Sequence, residues 1–250
     1  MMAAPLVHIT EVGPGIVQVT MNDRINKNAF SPDLVSELLE AFAVIRLNTG
    51  WRVVLLTGYE TYFASGGTQA ALRMLHERKA RFSDVNLYSL SLECEIPVIA
   101  AMQGHGIGGG FVFGLFADFV VLGRESVYTA NFMKYGFTPG MGATLIVPAK
   151  LGAPLAAEML TTARNYRGDD LARRGIAFPV LPRADVLSYA LQLAGDIAEK
   201  PRASLIALKN HLNQDLRQKL PKTIEQELAM HEVTFHQPEV GQRIETLFDR

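Results

Sequence analysis

The chain has 250 residues, with 24 basic and 25 acidic side chains and a formal net charge of −1 at pH 7. This balance favours binding neither to nucleic acid nor to an anionic membrane. Cys94 is the single cysteine, which excludes an intrachain disulfide and makes a reducing cytoplasm the expected compartment. The sequence predicts no signal peptide, and no apolar run reaches the roughly 18 residues of a membrane span.

The first predicted elements are a β-hairpin and a helix. Residues 6–22 alternate between apolar and polar side chains around a Gly-Pro-Gly turn, as hairpin strands do. Ser31 is in place to cap a helix whose first residue is Pro32. The apolar face of this helix is predicted to contain Leu34, Leu38, Phe42 and Ile45.

Three short apolar strands follow at 51–58, 96–104 and 118–126, with helical patterns between them. This alternation predicts an α/β layered core with parallel strand pairing. Two helical segments, 202–216 and 221–237, come last and are predicted to be separated at Pro221. We therefore expect a β/α core over residues 1–197 and a C-terminal helical segment over residues 198–250.

The stretch MQGHGIGGGFVFGLFAD (Met102–Asp118) contains a glycine triplet that enters a predicted helix. Each helical glycine costs about 1 kcal/mol relative to alanine, so bare backbone must be required there. One interpretation is a dinucleotide fingerprint, with Gly104, Gly106 and Gly109 as G-x-G-x-x-G and Glu125 as the later acidic residue. Its position deep in the chain and its short helix disfavour that interpretation. A second interpretation is close helix–strand packing.

A third interpretation is an oxyanion hole. A backbone N–H at a helix N-terminus is an oriented donor for a thioester carbonyl oxygen. Such a hole usually needs two donors, which predicts a second glycine-rich turn before another helix. Gly66 and Gly67 supply one, directly before the helical pattern that starts near residue 69.

The motifs FASGGTQ, IPVIAAMQGHGIGGGFVFGLFAD and GFTPGMGAT together resemble the enoyl-CoA hydratase/isomerase (crotonase) superfamily. The resemblance implies a β-β-α superhelix, a helical C-terminal trimerisation segment, trimers or dimers of trimers, and a pantetheine-linked acyl thioester as substrate. It implies that the amides of Gly67 and Gly109 form the oxyanion hole. It also places Lys27 and Asn28 in the loop MNDRINKNAF, which binds the pantetheine or CoA part of the substrate.

Two glutamates that handle water in hydratases of this superfamily are missing. Valine occupies the first position, Val112, and phenylalanine the second, Phe132. Neither side chain can act as a general acid or base for the addition of water. The sequence therefore predicts a site that stabilises an enolate formed by another reaction.

Periodicity offers two polar residues that interrupt apolar helical faces. Lys79 falls in line with Leu72, Leu75 and Phe82, and His231 falls in line with Ile224, Leu228 and Phe235. Each also has a structural interpretation: a lysine whose stem covers apolar surface, and a core histidine bonded to backbone. Among the remaining residues, His105 is expected to be structural, His76 to be solvated, Cys94 to be a small buried hydrophobe and His236 to be a second choice to His231.

The chain resembles one branch of the superfamily in particular, the decarboxylases of β-branching cassettes in polyketide synthases. The resemblance implies a catalytic lysine and a C-terminal histidine, and His231 matches the latter. Lys79 or Arg81 matches the lysine, and we favour Lys79 because arginine does not release its proton. Asn131, Val112 and Phe132 are expected to line the substrate pocket.

The implied reaction converts 3-methylglutaconyl-acyl carrier protein into 3-methylcrotonyl-acyl carrier protein through a dienolate. No metal and no organic cofactor is expected, since the substrate carries its own phosphopantetheine on the carrier. Two alternatives stay open. The chain could be an enoyl-thioester isomerase or dehydratase of the same superfamily, or a non-catalytic subunit that binds an acyl carrier protein.

Overall fold

The computed structural model describes residues 4–248, and its strands form three sheets. In chain order the strands are β1 (Val7–Gly13), β2 (Ile16–Met21), β3 (Ala29–Phe30), β4 (Val53–Thr57), β5 (Tyr62–Ala64), β6 (Gly66–Gly67), β7 (Val98–Met102), β8 (His105–Ile107), β9 (Phe119–Gly123), β10 (Val127–Thr129), β11 (Tyr166–Arg167) and β12 (Val180–Leu181). The largest sheet has the order β1-β2-β4-β7-β9-β12, the second has the order β11-β10-β8-β5, and β3 pairs with β6.

Helices cover these sheets and make up the C-terminal part. They are α1 (Pro32–Leu47), α2 (Gln69–His76), α3 (Leu90–Glu93), α4 (Gly109–Leu115), α5 (Ala143–Leu151), α6 (Ala153–Thr162), α7 (Gly168–Arg173), α8 (Val186–Ala198), α9 (Arg202–Leu212), α10 (Gln214–Thr234) and α11 (Pro238–Leu247). Short 3-10 helices occupy Asn131–Tyr135 and Arg183–Asp185. No helix in the described range is long and apolar enough to cross a membrane.

The predicted N-terminal elements are confirmed. Strands β1 and β2 pair antiparallel as a hairpin, and Val7 lies opposite Met21. Helix α1 begins after Ser31, whose hydroxyl accepts a hydrogen bond from the Leu34 amide at 3.2 Å. The predicted apolar face of α1 is buried. The three predicted strands appear as β4, β7 and β9, which pair in parallel as expected.

Side chains on alternate positions of the central strands face two different cores. Leu55 of β4, Ala101 of β7 and Val121 of β9 pack in a cluster with apolar residues of α8. Their neighbours, such as Leu56 and Leu122, point to the opposite face and belong to the main core. Because successive side chains of a strand point to opposite faces, a sheet covered on both sides needs continuous apolar runs. This explains why β4 and β7 are buried throughout.

The predicted break at Pro221 is wrong. Helix α10 runs continuously through Pro221, and the chain breaks earlier, between α9 and α10, where Asn213 donates its side-chain amide to Asp118 at 2.8 Å. A tertiary hydrogen bond thus holds the residue at the helix boundary, and the proline is accommodated inside α10 despite its missing N–H.

The C-terminal helices pack on the same core as the sheet. Lys209 of α9 is buried and forms an ion pair with Asp118 at 2.8 Å. Leu220, Phe235 and Ile244 belong to the main apolar cluster. A division of the chain at residue 198 stays a prediction, since residues on both sides of it share this core.

Candidate active site

Three consecutive glycines form the N-cap of α4, Gly108, and its first two residues, Gly109 and Gly110, and each has its own reason to be glycine. Gly108 has a φ of +55°, which favours glycine. A Cβ on Gly110 would lie 2.3 Å from the carbonyl oxygen of Ala64, so α4 packs directly on the backbone next to β5. A Cβ on Gly109 would lie 2.6 Å from the sulfur of Met141. The close-packing interpretation therefore holds for Gly110.

The two glycine-rich turns meet. A Cβ on Gly66 would lie 3.1 Å from the amide nitrogen of Gly109, which shows that the start of β6 lies next to the start of α4. Gly109 is the first residue of α4, and amides in a first helical turn have no intrahelical acceptor. Gly67 is the second residue of β6 and pairs with Phe30 of β3. The oxyanion role of Gly67 and Gly109 stays a prediction that fits this juxtaposition.

His231 lies near the end of α10 and is buried. Its Nε2 atom lies 2.9 Å from the carbonyl oxygen of Thr138. Burial holds the pKa of the imidazole below its usual value, and the carbonyls of Thr138 and Pro139 oppose that effect only in part. The ring of Phe82 lies against it, with centroids 5.1 Å apart. The expected bond between this histidine and the backbone is present.

A narrow, shallow cleft lies beside this histidine. We call it the His231 cleft. Its lining residues come from distant parts of the chain and are Phe82, Tyr88, Gly140, Met141, Ile224, Glu227, Leu228 and His231. Met141 links the cleft to the glycine turns, because its sulfur packs on Gly109. His231 and Gly109 are thus brought to one region of the molecule.

Glu227 is a cleft residue that the sequence reasoning missed. Its carboxylate accepts hydrogen bonds from the amides of Gly142 and Thr144, both at 2.8 Å, and from the Thr144 hydroxyl at 2.6 Å. Burial raises the pKa of this carboxyl, and the three donors act against that rise. The signal was present in the sequence, since Glu227 precedes His231 by one helical turn and shares its face.

Lys79 is not on a helix, contrary to the periodicity argument. Helix α2 ends at His76, and Arg78 takes a left-handed φ of +61° that turns the chain. The Lys79 side chain is 67% exposed and pairs with Glu77 at 2.6 Å. Phe82, from the same segment, is the residue that reaches His231. The structure therefore brings Phe82, and not the lysine, into the cleft.

Comparison with known proteins identifies the family. The sequence profile described as enoyl-CoA hydratase/isomerase matches residues 11–247. The chain belongs to the enoyl-CoA hydratase/isomerase family. The bacillaene synthase decarboxylase PksI of Bacillus subtilis (strain 168) is 61% identical over 247 residues, which span 99% of both proteins. The carnitinyl-CoA dehydratase of Salmonella paratyphi A is 30% identical over 205 residues, covering 81% of this chain and 78% of that protein.

Solved structures agree with this membership of the enoyl-CoA hydratase/isomerase family. One, from work on a dehydratase/decarboxylase enzyme couple involved in polyketide β-branching, superposes with a TM-score of 0.97 at 61% identity, over 98% of this chain and 100% of that chain. Another, the ECH2 decarboxylase domain of CurF from Lyngbya majuscula, superposes with a TM-score of 0.93 at 51% identity, over 97% of this chain and 99% of that chain. The predicted crotonase-like fold is confirmed, and it rules out the dinucleotide interpretation of the glycine stretch.

The two positions where hydratases of the family carry glutamates are apolar and closed. Val112 on α4 is fully buried, and Phe132 is 4% exposed and packs edge-on against Phe137. Phe137 in turn lies against His231, with ring centroids 6.5 Å apart. The second glutamate position, Phe132, is thus part of an aromatic wall beside the His231 cleft.

Asn28 and Lys27 both have left-handed backbone conformations in the loop before β3. The Asn28 amide is buried and used within the protein. It donates to the carbonyls of Met21 and Phe63 and accepts from the amide of Asp23. These bonds organise the loop, and the binding role of Asn28 stays a prediction. Lys27 is exposed above the Tyr62 ring, and its binding role stays a prediction.

Asn131 does lie next to the glycine triplet. Its Oδ1 atom would be 2.6 Å from a Cβ on Gly108, so its amide faces the start of α4. His105 is structural as expected: its Nδ1 accepts a hydrogen bond from the Val127 amide at 2.9 Å. Tyr128 is fully buried; its hydroxyl donates to the carbonyl of Met102 and accepts from the amide of Gly123.

Among the remaining polar residues, His76 is the one that differs from expectation. His76 is not solvated, because its Nδ1 lies 2.8 Å from the carbonyl of Phe235. His236 returns a similar contact to the carbonyl of His76 at 2.9 Å, which joins the end of α2 to the end of α10. Cys94 is partly buried against the main core. Within residues 4–248 no three His, Cys, Asp or Glu side chains are grouped as a metal site requires.

Proposed function

We propose that this chain is the decarboxylase of a polyketide β-branching system. Its substrate is 3-methylglutaconyl thioester on an acyl carrier protein, and its product is the 3-methylcrotonyl thioester. The 61% identity to a bacillaene synthase decarboxylase over the whole chain supports the reaction type. The decarboxylase domain of CurF, at 51% identity, supports it independently.

The observation that carries the proposal is the replacement of both hydratase glutamates by buried apolar side chains, one of which, Phe132, packs on the Phe137 ring that lies against His231. Val112 and Phe132 leave no carboxylate to activate water at the reacting carbon. Glu227 does not take their place, because its oxygens are bound to Gly142 and Thr144. Removing two acidic groups also removes repulsion toward a substrate that carries its own carboxylate.

The chemistry starts at the bond to the distal carboxylate. That carbon–carbon bond breaks, carbon dioxide leaves, and the electron pair moves through the conjugated system to the thioester oxygen. The amides of Gly67 and Gly109 bind that oxygen as its charge develops. An oxyanion donor of this kind contributes about 2.7–4 kcal/mol of transition-state stabilisation. One proton then adds to a carbon of the dienolate, so the reaction consumes one proton for each carbon dioxide released.

His231 and Lys79 are the proposed groups that orient the departing carboxylate and deliver that proton. His231 already lines the cleft. Lys79 must leave Glu77 and turn inward when substrate binds. The substrate carboxylate, an anion in a largely apolar cleft, would supply the attraction for that movement.

The carrier-bound arm of the substrate is proposed to enter past the loop that contains Lys27, whose exposed ammonium suits a phosphopantetheine phosphate. The enzyme uses no organic cofactor and no metal in this proposal. It works in the cytoplasm as a homotrimer or a dimer of trimers.

The test is mass spectrometry of a 3-methylglutaconyl-loaded carrier protein after incubation with the pure chain. The expected result is a mass loss equal to carbon dioxide. Parallel incubations with 3-hydroxyacyl and 3-enoyl thioesters test dehydration and isomerisation. Turnover of either, with the methylglutaconyl thioester unchanged, would overturn the proposal, and binding without any turnover would indicate a non-catalytic carrier-binding subunit.

A further inference from the structure

The segment between Thr138 and Thr144 contacts both halves of the candidate site. A Cβ on Gly140 would lie 2.7 Å from Cε1 of His231, so this glycine is in close contact with the imidazole ring. The next residue, Met141, places its sulfur against Gly109. A shift of this one turn would move the surroundings of the proton donor and of an oxyanion donor together.

The turn has a strained backbone. Met141 has a φ of +63° and Gly142 a φ of +73°, so two consecutive residues are left-handed. A left-handed conformation costs a residue with a side chain about 1–3 kcal/mol and persists only where the surroundings enforce it. Something outside the turn must therefore hold Met141 in this shape.

Glu227 is the group in a position to do so. It is 1% exposed, and its two oxygens bind the amides of Gly142 and Thr144, immediately after Met141. These amides belong to the start of α5, where the partial positive charge of a helix N-terminus favours a carboxylate. Glu227 also shares α10 with His231, so the same helix carries the histidine and holds the turn against it.

We infer that Glu227 is a positioning residue for the reaction. Its carboxylate holds the Gly140–Gly142 turn in place, and the turn fixes the imidazole on one side and Gly109 on the other. This role rests on the decarboxylation proposed above, in which both groups act on one substrate.

The test compares Glu227→Gln with wild type in steady-state decarboxylation of 3-methylglutaconyl-pantetheine. Glutamine keeps the size of the side chain but replaces one acceptor oxygen with an NH₂ group, which cannot accept from the second amide. Small displacements of catalytic groups can cost up to about 10²-fold, so kcat is expected to fall at least about tenfold. KM is expected to stay within about twofold, because an interaction that acts in the transition state is lost.

A second readout follows the imidazole itself. The ¹H–¹³C resonances of the His231 ring are expected to shift in Glu227→Gln, since the ring would lose its fixed contact with Gly140. Asp118→Asn is the matched control, because Asp118 also accepts from a backbone amide, that of Val98 at 2.8 Å, and lies outside the cleft. It is expected to lower stability while leaving kcat and the His231 resonances unchanged.

Thr144→Val provides a milder variant if Glu227→Gln does not fold. It removes only the hydroxyl contact and keeps both amide contacts, so it is expected to lower kcat by less and to shift the same resonances. Wild-type kcat and unshifted resonances in the folded variants would overturn the inference, as would an equal loss of kcat in Asp118→Asn. Absence of carbon dioxide release by wild type would overturn the proposed function instead, and the resonances would still test the positioning.

Discussion

The Nε2 atom of His231 and the carbonyl oxygen of Thr138 lie 2.9 Å apart. A carbonyl oxygen can only accept, so Nε2 carries the proton and Nδ1 of the neutral ring carries none. Burial, which lowers the pKa of this imidazole, favours that neutral form near neutral pH. A proton delivered to the dienolate must therefore be taken up by the site for each turnover, and the anionic substrate favours its uptake.

The first prediction concerns stability against pH. The pKa of His231 is lower in the folded chain than its ordinary value of 6.5, so the unfolded chain binds the proton more readily. The contribution of the neutral ring is therefore present above pH 6.5 and is lost as pH falls toward the folded pKa. The free energy of unfolding in urea should decrease between about pH 7.5 and about pH 5.5. In the His231→Gln variant, this free energy should decrease less over the same pH range. Equal dependence on pH in the two proteins would contradict the lowered pKa of His231.

The second prediction concerns the catalytic role of the same residue. His231→Gln should lower kcat for decarboxylation by about 10²–10⁴-fold, the range typical for loss of a general acid. His211→Gln is the control, because His211 is exposed on α9. Release of carbon dioxide is the measurement, and a His231→Gln protein that retains the wild-type rate would exclude the histidine as proton donor.

The third prediction separates Lys79 from its neighbours. Lys79→Ala should lower kcat at least about tenfold if its ammonium orients the substrate carboxylate. Glu77→Gln should cause no loss, because it removes the carboxylate that holds the lysine at the surface. Arg81→Ala tests the alternative that Arg81, rather than Lys79, matches the family lysine. If the arginine variant loses activity and the lysine variant does not, the choice of Lys79 is wrong.

The fourth prediction uses two glycines in helices. Gly110→Ala places a Cβ 2.3 Å from the Ala64 carbonyl and should destabilise the chain by about 1–3 kcal/mol or more. Gly195→Ala in α8 meets no atom within 4 Å and should stabilise it by about 1 kcal/mol. Thermal and urea unfolding of both variants check this pair. Equal changes in stability for the two variants would show that packing against Ala64 is not the reason for glycine at position 110.

Regular elements and the family could be predicted from the sequence because their signals are local. Ser31 caps α1, and apolar runs form β4 and β7. Both signals could be read because capping and apolar sequence patterns depend on residues that are neighbours in the chain. The glycine triplet was also predictable as a site where side chains are excluded. The reasons that apply to Gly109 and Gly110 were not predictable, because they involve Met141 and Ala64, which are distant in the chain.

The errors have tertiary causes. Lys79 was placed on a helical stripe, but the left-handed Arg78 ends that pattern, and an ion pair between Arg78 and Glu232 joins the turn to α10. Pro221 was expected to end a helix that instead breaks at Asn213, where the side chain bonds to Asp118. The spacing of Glu227 from His231 places the two on one helical face, but it does not show that the partners of the carboxylate are amides more than eighty residues away.

The contact between Thr138 and His231 closes a loop of 93 residues. Closing a long loop costs chain entropy before the contact forms, so we expect this contact to form late in folding. The parallel strands can therefore be assembled while the cleft is still incomplete. Partial detachment of α10 from the rest of the protein would abolish turnover while the sheet stays folded, so heating should inactivate this enzyme before it melts.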